Sequence, residues 1–439
     1  MTRNAAAPVA RPLGFWACWA LTVGTMIGSG IFTLPALLAP YGLVSFSGWI
    51  VAGIGSILVA LTLGRLAART TLSGGPYVFA REAFGDFPAF LTAWGHWASY
   101  WIATPAIAIA FVGYLPVFVP SLADYKLAQA LIALALIWAV TLVNMRGLRE
   151  AGAAQLAMTL LKIAPLLVII VLAMVAGAPA NLPAAHPAGG SVVAVLATCV
   201  LLTTWAFSGM EAGCMAASDV KDPERTIPRA LIIGVLTTTV IYIAVTAAVM
   251  LLVPAATLTK STAPFAEAAR GLGAWGPMLV SAGALVATAG ALNGTVFTAG
   301  QIPAAVARDG LAPEIFARTT KGGGPHVALI VSGVLSSLLL AANYTRGAVE
   351  AFTFLLMMST LATLAPLIVS VAAEAIRSRK VSGLWTAVAL VAGAYCAFAA
   401  LGSGLEVMGW GLVLLAAGVP FYYVGRVKRA PASLAAETP

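Results

Sequence analysis

Charge is what this chain has least of. Only 9% of its 439 residues are Asp, Glu, Lys or Arg, whereas 61% are hydrophobic and the mean hydropathy is +0.98. Soluble globular domains carry about 25% charged residues, so that class is excluded and an all-α integral membrane protein is expected. Cysteine is also scarce. Cys18, Cys199, Cys214 and Cys396 lie in apolar segments without a C-x-x-C pair, which indicates neither a disulfide framework nor a zinc site; they read as buried small residues. The sequence has no H-E-x-x-H, no G-x-S-x-G and no phosphate-cradling loop, so no enzyme is expected and uphill work must draw on a gradient. Despite a net charge of +9 there is no long basic run, which argues against a nucleic-acid partner. No cofactor or metal is expected, and the N-terminal stretch leads into a span with no credible A-x-A cleavage pattern, so no removable signal peptide is expected either.

What the chain does have is long apolar runs. Segments long enough to cross a bilayer fall near 14–39, 44–66, 87–118, 127–145, 152–177, 191–217, 228–254, 272–305, 326–343, 348–374, 383–402 and 406–425, which predicts twelve transmembrane helices. With both termini placed in the cytoplasm, only Lys126, Lys260, Arg270 and Arg346 face outside and Lys162 lies within a span; the other lysines and arginines face the cytoplasm. This orientation satisfies the positive-inside rule. The loop 70–86 predicts a turn followed by a short amphipathic helix lying along the interface, a plausible moving seal. In the loop 219–229, Pro228 is expected at the start of the next helix.

Two spans carry their own interruption. Gly24, Gly28 and Gly30 fall within seven residues of the first span, and each mid-helix glycine costs roughly 1 kcal/mol against alanine. Either the helix breaks there and lines a polar cavity, or the glycines form a close-packing stripe. The sixth span is interrupted at Thr203–Gly213. Breaks five spans apart predict two repeats of opposite orientation, spans 1–5 and 6–10, with a site at the midplane between them. The half-helix after the first break would aim its positive end at a carboxylate.

Charged and polar residues at depth are the remaining signals. Glu211 is expected within span 6, as a gating or coupling acid or as an acceptor for freed backbone N–H groups. Lys162 sits mid-span, where it can act as a fixed cation or carry a proton. His96 and Thr104 lie eight residues apart on one face of span 3; His96 faces substrate or is a hydrogen-bonded packing residue. Trp205, at the second break, is a candidate gate.

The chain resembles the amino acid–polyamine–organocation superfamily. The motifs are Gly28-Ser29-Gly30-Ile31-Phe32, Ser73-Gly74-Gly75-Pro76-Tyr77, Trp205-x-Phe207-x-Gly209-x-Glu211, Asp222-Pro223-Glu224-Arg225-x-x-Pro228, Ser261-Thr262-Ala263-Pro264-Phe265 and Arg308-Asp309-Gly310. They are most similar to those of the basic amino acid/polyamine antiporters, which include the arginine/agmatine antiporter. The resemblance implies a five-plus-five inverted repeat with broken helices 1 and 6. It also implies that Ile27, Gly28, Ser29 and Gly30 bind a substrate carboxylate, while Ala206, Phe207, Ser208 and Gly209 lie near its ammonium, Trp205 gates and Glu211 couples. Thr25, His96, Thr104 and Thr295 stand where that antiporter has asparagine, an aromatic, asparagine and tryptophan, which leaves the substrate open. Ser359, on span 10, is counted with the substrate-facing set. Lys162 resembles the span-5 lysine of sodium-independent members, bridging spans 1, 5 and 8.

These expectations divide the chain into a cytoplasmic tail (1–12), a first repeat (13–177), a second repeat (191–374), accessory spans (383–425) and a second tail (426–439). They describe a sodium-independent inner-membrane transporter that exchanges an amino acid for a related amino acid or amine by alternating access. The alternative is proton-coupled symport of neutral amino acids through Lys162. An amine or metabolite channel and a nutrient-sensing receptor are readings from other classes. The partners are the small-molecule substrate and the lipid bilayer, with protons and a homodimer carried as analogies.

Overall fold

The computed structural model describes residues 14–69, 75–147, 152–185, 191–210, 220–343 and 346–427, with backbone alone at 152–158, 223 and 425–427. In a bilayer no water is available for unpaired N–H and C=O groups, so a long apolar run must close its hydrogen bonds within itself. The chain does this as helix, and no strand occurs among the described residues. The helices are α1 (Phe15–Met26), α2 (Ser29–Leu38), α3 (Val44–Arg69), α4 (Pro76–Phe84), α5 (Asp86–Tyr114), α6 (Lys126–Met145) and α7 (Gly152–Ala176). They continue as α8 (Val192–Trp205), α9 (Pro223–Leu252), α10 (Trp275–Arg308), α11 (His326–Ala342), α12 (Ala348–Ser378), α13 (Gly383–Leu401) and α14 (Gly404–Val427).

Among the described residues nine helices are long and apolar enough to cross a membrane, and α1 with α2 makes a tenth, bent by 46° at a short break. The chain is therefore a multi-pass membrane protein. Each of the twelve expected segments overlaps a described helix, with α8 and α11 the shorter apolar ones at 14 and 17 residues. The long helix α5 packs against α10 and α12; α3 lies between α8 and α9; α1 lies against α7 and α9. Helix α14 packs against α5 and α12 and keeps Leu405, Leu412 and Val413 exposed, a face suited to lipid.

One local expectation changes, and two further features emerge. Helix α9 begins at Pro223, with Asp222 as its left-handed N-cap (φ 47°), so Pro228 lies inside the helix rather than at its start. Pro223 already takes the first helical turn, where a missing N–H costs nothing. Helix α4 has residues 76–80 buried and 81–85 exposed and packs against α5 and α12. There Tyr77 donates to the Asp309 carboxylate at the end of α10. Finally, a buried charge lies at the helix ends. Glu374 on α12 is fully buried, 3.0 Å from Arg65 Nε and 3.9 Å from Arg69 Nη1 on α3. The Arg65 guanidinium also lies 4.4 Å from the Trp385 ring centroid on α13. A buried carboxylate persists only with such compensation, and this one fastens the ends of three helices.

Candidate substrate site

The first interruption is narrower than three glycines suggest. Gly24 stays helical, α1 runs on to Met26, and only Ile27 (φ −75°, ψ 95°) and Gly28 (φ −141°, ψ −148°) leave helical geometry before α2 restarts at Ser29. Gly28 caps α2 without a side-chain hydrogen bond, so the first N–H groups of α2 receive no side-chain acceptor from their cap. Every residue of α2 is buried. A buried helix start without a side-chain cap carries about half a positive charge, and its chemistry suits an anionic group.

The second interruption follows α8. Past Trp205 the chain turns through 206–210, and Gly209 takes φ +95°, where an L side chain is strained. Here carbonyls are the exposed resource, and the protein supplies donors to them. Thr25 Oγ1, on α1, lies 2.9 Å from Gly209 O, and the Tyr242 hydroxyl, on α9, lies 3.1 Å from Ala206 O. Ser208 Oγ is buried with no hydrogen-bond partner among the described residues. Phe207 is buried against Trp49 and Tyr242, so its side chain belongs to the core.

The two interruptions touch. A β-carbon at Gly30 would lie 2.7 Å from Trp205 Cδ1, which places the indole across the first turn of α2 and explains why only glycine fits there. A β-carbon at Gly28 would lie 2.9 Å from Ala291 Cβ on α10. Lys162, ten residues into α7 and therefore ~15 Å along it, is buried and donates through Nζ to Gly24 O at 3.1 Å. It also lies beside Gly290 of α10, whose β-carbon would be 3.4 Å from Lys162 Cε. One ammonium thus connects α1, α7 and α10. Thr159 Oγ1, one turn earlier, donates to Ala20 O at 3.1 Å and reinforces the same contact.

The other expected residues lie further out. His96 is buried on α5 with its ring 5.2 Å from that of Tyr100. Ser99 Oγ donates to His96 O, and Ser359 Oγ on α12 donates to Ser99 O, each at 2.7 Å. Thr104 Oγ1 donates to Tyr100 O at 3.0 Å. Thr295 is half-buried on α10, one helical turn beyond Ala291. Glu211 lies outside the described residues, as do Cys214, Ser73 and Gly74. Two residues that sequence reasoning passed over also matter: Tyr242, near the site, and Glu374, at the ends of α3 and α12. Neither stands out in the sequence: Tyr242 lies among the threonines of α9, and Glu374 lies at the end of its apolar segment beside Arg377, Arg379 and Lys380.

Chemically, the arrangement opposes an N–H-rich helix start to a carbonyl-rich turn, with an indole between them. An anionic group suits the first and an ammonium suits the second. The comparisons with known proteins agree with a transport role. The amino acid permease family matches residues 13–424. The cadaverine/lysine antiporter of Escherichia coli K12 is 32% identical over 75% of this chain and 74% of its own length. The arginine/ornithine antiporter of Pseudomonas aeruginosa is 30% identical over 79% and 75%. The putrescine transporter of Escherichia coli K12 is 29% identical over 92% and 93%. With its multiple apolar helices and a family match across nearly its whole length, the chain belongs to the amino acid permease family of membrane transporters and is not an enzyme.

Proposed function

We propose that this protein is a sodium-independent secondary transporter that exchanges an amino acid for a related amino acid or amine by alternating access. The observation that carries the reading is the facing pair of interruptions. The uncapped start of α2 would take the substrate carboxylate, and the turn 206–210 would take its ammonium, with Trp205 closing between them. An amine lacking the carboxylate would use only the second half of such a site, which suits a carrier that returns an amine for an amino acid. The named activities of the relatives support exchange of this kind.

In this reading the twelve segments form a five-plus-five inverted repeat, 13–177 and 191–374, with 383–425 accessory. The tails 1–12 and 426–439 lie on the cytoplasmic face of the inner membrane. Lys162 fixes the first interruption to α7 and α10, and Glu211 serves as a coupling acid. The burial of Lys162 and its bond to Gly24 O also favour a second reading, in which Lys162 carries the proton of a proton-coupled symporter. Counterflow separates the two. Proteoliposomes in sodium-free buffer are loaded with unlabelled substrate or left empty and given labelled lysine, arginine, ornithine, putrescine, cadaverine, alanine or serine. Saturable uptake only into loaded vesicles supports exchange. Uptake into empty vesicles driven by an inward proton gradient replaces it with symport, and non-saturable flux without counterflow replaces both with a channel.

A further inference from the structure

The connection between α12 and α13 carries more positive charge than the protein itself answers. Helix α12 ends at Ser378 and α13 begins at Gly383, so only Arg379, Lys380, Val381 and Ser382 join them. The turn is held tightly. Ser378 O accepts from the N–H groups of Val381 and Ser382, each at 2.9 Å, and Ser378 Oγ lies 3.1 Å from Thr386 Oγ1. The turn therefore stays at the helix ends instead of projecting into water. At those ends Arg65 and Arg69 of α3 share the buried Glu374 carboxylate, and Arg377 lies 3.6 Å from Glu82 of α4. Both carboxylates are thereby engaged. Arg379 and Lys380 are exposed and have no acidic partner among the described residues. Arg65, Arg69, Arg377, Arg379 and Lys380 against Glu82 and Glu374 leave a surplus of three positive charges.

The same turn leaves apolar surface open. Val381 and Leu384 are 74% and 72% exposed, and Ile376, just before the turn, is 61% exposed. Large apolar side chains left open beside unpaired cations fit the boundary where hydrocarbon meets headgroups, with the basic heads at the polar level. This is also the end of the helices that the lysine and arginine bias assigns to the cytoplasm. Such a surface needs a ligand that is anionic at one end and apolar at the other. We propose that the α12–α13 turn binds an anionic phospholipid of the cytoplasmic leaflet, its phosphodiester on Arg379 and Lys380 and its acyl chains over Val381 and Leu384. Because α3 is tied to α12 through Glu374, a lipid seated at this turn braces the ends of three helices at once.

Arg379 and Lys380 are exposed, so Arg379→Gln/Lys380→Gln removes the charge without touching the core. The test follows thermal unfolding of the purified, delipidated protein in a neutral detergent while phosphatidylglycerol, phosphatidylcholine or inorganic phosphate is added, and counts the phosphatidylglycerol retained per chain after washing. The wild type is expected to gain melting temperature with phosphatidylglycerol alone and to retain that lipid. The double variant is expected to bind it ~30-fold more weakly, the effect of two cations beside a headgroup. A control of equal charge change, Arg318→Gln/Lys321→Gln in the exposed loop before α11, is expected to respond as the wild type does. Should the double variant not fold, Arg379→Gln alone reads the same effect at ~5-fold. A wild type indifferent to phosphatidylglycerol, equal stabilisation by phosphatidylcholine, a double variant that keeps the wild-type response or a control that loses as much overturns the proposal. Equal stabilisation by inorganic phosphate makes the turn a site for a free anion and overturns the lipid assignment. No substrate is present in this measurement, so its outcome is independent of what the protein transports.

Discussion

The interruptions after α1 and after α8 free the backbone in opposite ways. After Met26 the chain spends two residues in extended geometry and restarts at once as α2, so what it offers is the N–H end of a ten-residue buried helix. After Trp205 it makes a succession of turns, with Gly209 in the left-handed region, and what it offers is carbonyl oxygen. One side is a donor surface and the other an acceptor surface. Side chains answer the carbonyls at both breaks, Thr25 at Gly209 O, Tyr242 at Met26 O and Ala206 O, and Lys162 at Gly24 O, whereas the N–H end of α2 has no side-chain bond at its cap. A fold that needed both breaks only for close packing would have little reason to treat them differently.

Substitutions can break this contrast, in decreasing order of effect. Gly30→Val puts a branched side chain where Trp205 Cδ1 already lies 2.7 Å from a β-carbon position. It should lower substrate exchange at least ~100-fold, the consequence of overpacking by several kcal/mol, with the protein still recovered from membranes. Trp205→Ala removes the indole between the surfaces and should reduce uptake ~30-fold, given the usual cost of truncating a large buried aromatic; normal kinetics in vesicles would sink the gate assignment. Lys162→Gln weakens the donor to Gly24 O and should cost ~10-fold in apparent affinity, read by labelled-substrate binding. Thr25→Val deletes one neutral hydrogen bond between the interruptions and should cost ~5-fold, with exchange under saturating substrate nearly unchanged.

How much of this was legible in the chain depends on the range of the interaction. The apolar segments and the first interruption could be read because a bilayer demands long uniform runs and anything inside them stands out. Gly28, Gly30, Lys162 and Trp205 are conspicuous for that reason. Gly24, equally conspicuous, turned out helical, because one glycine costs a helix about 1 kcal/mol and does not by itself end it. The pairings were not legible. Thr25 with Gly209, Tyr242 with Met26, and Glu374 with Arg65 join residues far apart in sequence, and no local pattern states who meets whom. Helix α4 illustrates the same limit: its sequence suggested a short amphipathic helix, but not that its first half would be buried against α5 and α12.

The central claim is that the start of α2 reads a carboxylate and the turn after α8 reads an ammonium. Ser29 is the first residue of α2, so Ser29→Pro deletes one backbone N–H at the position where proline is best tolerated, with Ser29→Ala as the control for the hydroxyl. Inhibition of labelled exchange by the transported amino acid and by the matching amine without a carboxylate is the measurement to make. The account predicts that Ser29→Pro weakens inhibition by the amino acid about tenfold, leaves the amine unchanged, and differs from Ser29→Ala. Equal weakening of both inhibitors, or of neither, would contradict it.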